Sequence, residues 1–552
     1  VRVIARDVGG SFGAKGRPHP EELLLPFLAR RVGRPVVWVP ARSTDMVGLS
    51  HGRGQIQYVR IGGGRDGRIS AYEVRILQDA GAYPGGGALL PNNTRVMLTG
   101  CYQIATAAFS ADSVVTNTTP VGAYRGAGRP EAAAAIERMV DVFAAELGMD
   151  PAEVRRRNFI PADAFPYSSA PGLVFDSGNY DGALDKALEM VGYDTLRKEQ
   201  QMRRDAGSKT HLGIGLSTYC EMCGLAPSRV LAALRYGAGG WEAASVQLLP
   251  TGKVQVTTGT SPHGQSHETC WSQIVADRLG VSPDDVDVLH SDTSISPLGM
   301  DTYGSRSLAV GGTAVALATD KVIDKARTIA AHQLEVAEED LEFANGVFAV
   351  KGTPDKAIPI QGIAFASFTG HNLPDGMEPN LRAEASYDPP NFVFPFGTHV
   401  CVVEVDEETG AVKLLKYVAV DDCGNQVNPM VIEGQVHGGV VQGIAQALFE
   451  EASYDADGNL LTSTLADYLV PSAAEMPSFD LGSTVTPSPS NPLGVKGIGE
   501  AGTIASTPAV INAIVDALSP LGVTEVRMPA SPQRVWATIQ EAQNQSRGEA
   551  GR

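Results

Sequence analysis

Cysteine is scarce in this sequence, which limits the metal centres that the chain can build by itself. Six cysteines occur in 552 residues, and only Cys220 and Cys223 stand close together, as a single Cys-x-x-Cys pair. A lone pair of this kind is weak evidence for zinc or a redox centre, and no four-cysteine spacing of an iron–sulfur cluster is present. We interpret the thiols as free and mostly structural, as is usual in a reducing compartment.

Positive charge and long apolar runs are also lacking. Lysine and arginine number 44 against 62 aspartates and glutamates, and the formal net charge is −18. This balance argues against nucleic acid or an anionic membrane as the main partner. No run approaches the roughly 18–20 apolar residues of a membrane span. The composition therefore favours an acidic cytoplasmic protein with large buried cores.

Glycine, by contrast, is abundant, with 61 residues, and it clusters in short polar runs that mostly lead into predicted helices. The first run, 9–16, follows a predicted strand at 1–5. Its spacing fits neither GxxxxGK[ST] nor GxGxxG, which excludes a P-loop and a Rossmann fingerprint. Loops of this kind present backbone N–H groups to an anion at a helix start. Together the runs indicate a large anionic ligand rich in heteroatoms; the remaining ones are 122–129, 259–265, 304–307 and 494–502.

One carboxylate stands inside the last of these runs. Glu500 lies among four glycines before an apolar helix predicted over 507–518, with Thr507 as its cap. Burial among apolar neighbours is predicted to raise the pKa of Glu500 toward the range of a general base. The alternative is a glycine-rich turn whose glutamate only complements the helix dipole.

Three further sets of residues have two interpretations each. Arg125 and Arg129 either form an anion site before a helix or pair with surface carboxylates. His263 and His267 have the spacing of a metal pair, but the intervening proline and glycine residues favour polar capping over zinc. The predicted helix 432–450 contains four glycines, each costing about 1 kcal/mol relative to alanine, so close packing against a neighbour or a ligand is expected there.

The coarse pattern predicts alternating helices and strands. We expect helices over 20–32, 131–147, 180–205 and 313–337, a short helix from Pro151, and another over 267–279. We expect a short buried strand at 36–39, a strand at 211–221, and paired strands at 56–61 with 69–78, 246–249 with 254–258, and 400–405 with 412–420.

In their order along the chain, the motifs resemble those of the molybdenum-binding large subunit of the xanthine dehydrogenase/aldehyde oxidase family, which includes aerobic carbon monoxide dehydrogenase. The motifs are DVGGSFGAK, AYRGAGR, GTSPHGQ, DTYGSRS, GNQVNP with EGQVHGGVVQG, and GVKGIGEAG. The resemblance implies an α+β fold of two large elongated molybdenum-cofactor-binding domains built from mixed sheets and helices. We place these domains at 1–180 and 181–545, with a polar tail at 546–552. The family's N-terminal hammerhead domain is expected upstream of Val1.

The resemblance also implies a molybdenum–molybdopterin cofactor, in the cytosine dinucleotide form of many bacterial members, whose metal takes no protein side chain as a ligand. Glu500 is implied as the catalytic base, and Gln435 as an amide donor to the metal centre. The other implied cofactor-binding residues are Gly10, Phe12, Gly13, Arg125, His263, Gly264, Gln265, Gly304, Ser305 and Ser307.

The implied reaction is the oxidative hydroxylation of an aldehyde or an N-heteroaromatic C–H, with water as the oxygen source. Electrons pass to [2Fe–2S] and FAD on partner subunits, an iron–sulfur small subunit and an FAD-binding medium subunit, in a dimer of heterotrimers. The cytoplasm is the expected location, with export on a partner's signal as the alternative.

Departures from the family pattern narrow the substrate. Gly126 stands where carbon monoxide dehydrogenase has a copper-binding cysteine, which disfavours carbon monoxide. Gly16 and Ala127 stand where xanthine-oxidising members have a glutamate and a phenylalanine, which makes a purine doubtful. A carbon monoxide dehydrogenase-like subunit and a non-catalytic cofactor-binding fragment remain as alternatives.

Overall fold

The computed structural model describes residues 1–233 and 237–550, with side chains described through residue 545. In this part of the chain helices and strands are mixed along the sequence. The α-helices are α1 (Pro20–Val32), α2 (Arg42–Gly48), α3 (Leu90–Val96), α4 (Arg129–Leu147), α5 (Pro151–Asn158), α6 (Tyr180–Val191), α7 (Tyr193–Asp205), α8 (Ser228–Ala233), α9 (His267–Leu279), α10 (Thr313–Leu334), α11 (Ile360–Thr369), α12 (Pro429–Leu448), α13 (Ala501–Leu518) and α14 (Pro532–Ala550). The strands are β1 (Gln55–Gly63), β2 (Ile69–Gly81), β3 (Thr106–Val115), β4 (Tyr167–Ser168), β5 (Val174–Phe175), β6 (Thr210–Cys220), β7 (Glu242–Leu248), β8 (Val254–Thr258), β9 (Val286–Leu289), β10 (Leu341–Ala344), β11 (Val347–Val350), β12 (Thr353–Pro359), β13 (Leu381–Tyr387), β14 (Phe396–Asp406), β15 (Val412–Asp422) and β16 (Phe479–Thr484).

Three mixed sheets organise these elements. Their strand orders are β1-β2-β3, β13-β7-β8-β9 and β16-β15-β14-β6, and each combines antiparallel with parallel pairs. Strands β10 to β12 form a small separate sheet, and β4 pairs with β5. Helices cover the sheets rather than alternating regularly with parallel strands, so the α+β prediction is confirmed.

Most of the predicted elements are present, and four local predictions are wrong. Residues 1–5 form only an isolated bridge at Ile4, and 36–39 form no strand, since the valines there are largely exposed without a neighbouring strand. The helix 180–205 is two helices separated at Gly192, which takes φ 74°. Helix α13 begins at Ala501, six residues before the predicted start. Helix α14 continues to residue 550, through the described part of the predicted polar tail, while residues 551–552 lie outside the described residues.

Helix α13 is the central element of the C-terminal half. It packs on β6, where Gly213 and Gly215 permit close approach, because a Cβ at either position would overlap its backbone. Among the described residues, the segment Ala501–Leu521 alone is long and apolar enough to cross a membrane, but 78% of its apolar window is buried inside the protein. In the sequence this segment is not an unbroken apolar run, because Asn512 and Asp516 interrupt it; neither residue exposes the helix.

The glycines of α12 divide into two pairs with different surroundings. Gly439 and Gly443 face α13, and a Cβ at Gly439 would lie 2.9 Å from the Gly502 Cα. The hydroxyls of Thr503 and Thr507 donate to the carbonyls of these two glycines at 3.1 and 3.0 Å. Gly434 and Gly438 lie on the exposed side of α12. The expected close packing is therefore found for half of the glycines.

This division predicts opposite effects of alanine on the stability of the cofactor-free protein. Gly443→Ala should lower Tm, because its Cβ would overlap the Ser506 hydroxyl in a buried contact. Gly434→Ala should raise the free energy of unfolding by up to about 1 kcal/mol, because no heavy atom lies within 4 Å of its Cβ and alanine has the higher helix propensity. Thermal unfolding of both variants beside the wild type measures this, and equal effects at the two positions would contradict it.

Candidate active site

The carboxylate of Glu500 is held by three donors from two segments that are distant from it in the sequence. Its Oε1 accepts from the backbone N–H of Gly126 at 2.8 Å. Its Oε2 accepts from Arg129 Nη2 and from the Ser305 hydroxyl, each at 2.8 Å. Glu500 itself lies at the N-terminal end of α13, where the helix dipole favours negative charge. The glycine-rich turn therefore presents a fixed, ionised carboxylate.

The predicted direction of the Glu500 pKa is wrong. Burial by itself raises this pKa, as expected from the sequence, but Arg129, the Gly126 N–H, the Ser305 hydroxyl and Arg125 together lower it below the ordinary value. The donors prevail because they stabilise the charged form directly. Glu500 is thus a carboxylate at neutral pH.

Arg125 links the Glu500 turn to helix α12. Its Nε donates to the Gly499 carbonyl at 2.6 Å and its Nη1 to Gln442 Oε1 at 3.0 Å. Its Nη2 donates to the carbonyl oxygen and to Oε1 of Gln435, at 3.1 and 3.2 Å. Since the side-chain oxygen of Gln435 faces Arg125, its amide N–H groups keep no partner within residues 1–233 and 237–550 and are available to donate.

The first glycine loop lies against the loop of Arg125. The Arg125 N–H donates to the Phe12 carbonyl at 2.8 Å, and the Arg125 guanidinium lies 5.5 Å from the centre of the Phe12 ring. Phe12 has φ 51° and is 51% exposed, an unusual conformation and environment for an aromatic residue. Gly13 allows the close approach, because a Cβ there would overlap the Ala123 carbonyl. Gly10 also has positive φ, and its carbonyl accepts from Lys15 at 2.7 Å.

In the 304–307 segment, Ser305 contacts the Glu500 carboxylate, whereas Gly304 and Ser307 contact other residues. Ser305 has φ 52° and packs on Gly497, where a Cβ would overlap its backbone. Gly304 also has positive φ and packs on Leu225. Ser307 is buried, and its hydroxyl donates to Thr302 at 3.0 Å, away from Glu500.

The 263–265 turn borders the first glycine loop from the other side. A Cβ on Gly264 would lie 3.9 Å from the Val8 carbonyl, and Gln265 Oε1 accepts from the His263 N–H. Burial lowers the pKa of His263. His267 is buried and stacked on Trp271 with ring centres 5.0 Å apart, and burial lowers its pKa to about 4. Within the described ranges, no group of three or more His, Cys, Asp or Glu side chains could hold a metal ion.

Glu221 and Arg53 are neighbours of the site that have no signal in the sequence. Glu221 Oε1 accepts from Nη2 of Arg129, which is 2% exposed, at 3.2 Å. Burial raises the pKa of Glu221 to about 8, and the charge of Glu500 adds to this, although Arg129 opposes it. Glu221 lies between Cys220 and Cys223, and in this Cys-x-x-Cys motif only the thiols are typical functional groups. Arg53 donates to the carbonyls of Tyr124 and Arg125 at 3.0 and 2.9 Å and so fixes the arginine loop.

Comparison with known proteins agrees with this geometry. Two family models, each described as a molybdopterin cofactor-binding domain, match residues 1–159 and 186–477. The chain belongs to the molybdopterin-binding large subunits of the xanthine dehydrogenase/aldehyde oxidase family, and it is a molybdenum-dependent oxidoreductase.

Particular members of the family resemble the chain over almost its whole length. The carbon monoxide dehydrogenase large chain of Hydrogenophaga pseudoflava is 41% identical over 98% of this chain and 68% of its own length. The nicotine 6-hydroxylase large subunit of Paenarthrobacter nicotinovorans is 35% identical over 97% of this chain and 65% of its own. The crystal structure of quinoline 2-oxidoreductase from Pseudomonas putida 86 superposes with a TM-score of 0.93 at 37% identity, covering 98% of this chain and 69% of that one. The chain thus spans about two thirds of the length of these relatives.

The residues around Glu500 fit the cofactor of this family. No heavy atom lies within 4 Å of a Cβ built on Gly434. A Cβ on Gly438 would lie 3.4 Å from Arg125 Nη1, and a Cβ on Gly499 would lie 3.5 Å from the Ser305 hydroxyl oxygen. Side chains at Gly438 and Gly499 would crowd Arg125 and Ser305, two neighbours of Glu500. The exposed groups are amides, hydroxyls and backbone N–H groups, which suit a pterin and phosphates; they do not suit direct metal ligation.

Proposed function

We propose that this chain is the large subunit of a molybdenum hydroxylase that converts an aldehyde or N-heteroaromatic C–H into the hydroxylated product, with water as the oxygen source. The observation that carries the proposal is the ionised Glu500 carboxylate, held by three donors next to a glycine-lined surface and the free amide of Gln435. The molybdenum–molybdopterin group, when bound, supplies the two-electron oxidation.

The protein's own residues position groups and move the proton in this proposal. Glu500 accepts a proton during the reaction, and its fixed orientation removes the need to reorganise. Gln435 donates its amide to the cofactor, and Arg125 holds both Gln435 and the Glu500 turn in place. Gly10, Phe12, Gly13, His263, Gly264, Gln265, Gly304, Ser305 and Ser307 border or support the cofactor.

The assembly around the chain follows from the family. We propose the cytosine dinucleotide form of the cofactor, an iron–sulfur small subunit with [2Fe–2S] centres, an FAD-binding medium subunit, a dimer of heterotrimers and a cytoplasmic location. We also propose a boundary between the two cofactor-binding domains near residue 180. The relatives named for nicotine and quinoline support an N-heteroaromatic substrate.

Carbon monoxide is the second candidate substrate, because carbon monoxide dehydrogenase large chains are among the relatives. The structure of the site argues against carbon monoxide at Gly126. This residue has φ 91°, and a Cβ built on it would lie 2.6 Å from the Pro130 ring. The position has no room for the cysteine that binds copper in that enzyme without a shift of the loop.

Copper analysis separates the two candidates. We expect the purified protein to contain molybdenum without equivalent copper, and Gly126→Cys to lower Tm without gaining copper, because the loop cannot accept a side chain there. Copper equal to molybdenum in the wild type, together with oxidation of carbon monoxide, would favour the second candidate.

The decisive experiment is elemental analysis of the complex purified from its own host, followed by turnover assays. About one molybdenum per chain with iron alongside, and oxidation of aldehydes or N-heteroaromatic compounds with an artificial electron acceptor, are expected. A folded complex without molybdenum would overturn the proposal and favour a non-catalytic scaffold.

A further inference from the structure

One arginine nitrogen is shared by the partly buried carboxylate of Glu500 and by a second, fully buried carboxylate, that of Glu221. Arg129 Nη2 lies 2.8 Å from Glu500 Oε2 and 3.2 Å from Glu221 Oε1. The side chains of Arg129 and Glu221 are 2% and 0% exposed. Burying a second carboxylate beside an existing ion pair is costly, and the cost is not explained by holding Arg129 alone, because Glu500 already pairs with it.

The backbone on both sides of this arrangement is rigid. Glu221 directly follows β6, and its N–H donates to the Pro395 carbonyl at 2.9 Å. Arg129 is the first residue of α4, whose start is fixed by Glu131, which accepts from the Gly128 N–H at 2.8 Å. Glu221 can therefore hold the Arg129 guanidinium at a set place relative to Glu500.

We propose that Glu221 is a positioning residue of the active site, which fixes Arg129 against the Glu500 carboxylate and so sets the orientation and charge of that base. The inference rests on the function proposed above. Glu221 touches neither substrate nor cofactor and acts only through Arg129. The protonation state of Glu221 affects the site, because ionised Glu221 competes with Glu500 for the same Arg129 nitrogen.

The groups that face Glu221 define its charge state. They are Arg129 on α4, Glu500 before α13, and Cys223 on its own segment, with Arg125 farther away. Burial and the Glu500 charge raise the pKa of Glu221 to about 8 despite Arg129. Below this pH, Glu221 holds a proton and still accepts from Arg129 through its carbonyl oxygen; above it, a second negative charge adjoins the base.

The test compares Glu221→Gln and Glu221→Ala in the molybdenum-loaded complex. Since a misplaced reacting group costs about 10²-fold, we expect Glu221→Ala to lower kcat by about 10- to 100-fold with KM and molybdenum content unchanged. Glu221→Gln keeps an acceptor for Arg129 and should rescue most of this loss. It should also remove the ionisation near pH 8 from the kcat profile. Glu137→Gln, which alters the buried Glu137–Arg155 pair elsewhere, is the control and should leave that ionisation in place.

A second readout needs no turnover. In cofactor-free protein, the infrared band of a protonated carboxyl group should disappear as pH rises through about 8 and should be missing in Glu221→Gln. The folded state holds this proton from about pH 4.5 to 8, whereas the unfolded state does not. Wild-type stability therefore falls relative to Glu221→Gln as pH rises through that window.

The outcomes separate the two proposals. A wild-type pH profile and infrared titration in Glu221→Gln would overturn the role of Glu221. A wild type that contains molybdenum but turns over no aldehyde or N-heteroaromatic compound would overturn the proposed function, while the infrared result would still decide whether Glu221 and Arg129 are coupled.

Discussion

Replacing Glu500 with glutamine is expected to lower kcat by about 10²- to 10⁴-fold, the usual contribution of a general base, while molybdenum stays bound. The amide has the shape of the carboxylate but accepts no proton at neutral pH. It can still accept from one of the groups that now donate to Glu500, so the turn should keep its place. Assays of kcat and elemental analysis on the same preparation measure both parts.

A control in the first turn of α4 distinguishes this loss from a general disturbance. Glu131 is also buried and accepts a backbone N–H, but its partners are Gly128 and Arg53 rather than the groups at Glu500. We expect Glu131→Gln to lower Tm with little effect on kcat. Near-normal turnover in Glu500→Gln would exclude Glu500 as the base.

Replacing Arg129 with methionine should both destabilise the protein and shift its pH dependence. Removing one partner of a buried ion pair costs about 3–5 kcal/mol, and here two carboxylates, Glu221 and Glu500, lose it together. Because Arg129 lowers the pKa of Glu500, that pKa should rise in the variant. The acid limb of the kcat profile, where the base becomes protonated, should therefore move to higher pH.

The sign of the stability change with pH follows from the same charges. In the Arg129→Met variant both carboxylates should have higher pKa values in the folded state than in the wild type, because Arg129 lowers the pKa of each, whereas the unfolded chain ionises near its ordinary values. The loss of stability should then be largest at neutral and alkaline pH and should shrink toward acid pH, where both states are protonated. Thermal unfolding across pH measures this.

Arg155→Met provides the matched comparison. Arg155 is buried between Glu137 and Asp141, at 2.8 and 2.6 Å, with no contact to Glu500. It should destabilise the protein without moving the acid limb of kcat. If Arg129→Met left the acid limb unmoved, Arg129 would be a structural residue only.

The sequence located Glu500 but not the forces acting on it. Four glycines around one carboxylate before an apolar helix indicated a turn and a buried base, and the turn is present. The pKa was predicted in the wrong direction because the partner that matters most, Arg129, stands 371 positions away. A local sequence pattern can predict that a residue is buried. It cannot predict which side chain from a distant part of the sequence will contact that residue in the folded protein.

The limits of local pattern also explain the errors in secondary structure. The three valines and one tryptophan at 36–39 favour extended backbone, but a strand needs a neighbour, and none pairs with them among the described residues. Pro508 suited a helix start, yet α13 extends a full six residues before Thr507 because packing on β6 and α12 outweighs the hydrogen bond that proline removes. The glycines of α12 indicated close packing correctly, but their order did not tell which pair met α13.

The dependence of the site on both ends of the chain has a consequence for biosynthesis. Phe12 and Arg125 lie near the beginning, Ser305 and Gln435 follow far apart, and Glu500 comes within the last tenth of the sequence. Helix α13, which carries Glu500 at its start, docks on β6 across roughly 300 positions of sequence. Contacts this distant in sequence form late. A chain whose synthesis has not yet reached α13 therefore lacks the carboxylate and the helix against which α12 packs, so the complete site can receive the cofactor only after α13 has been made.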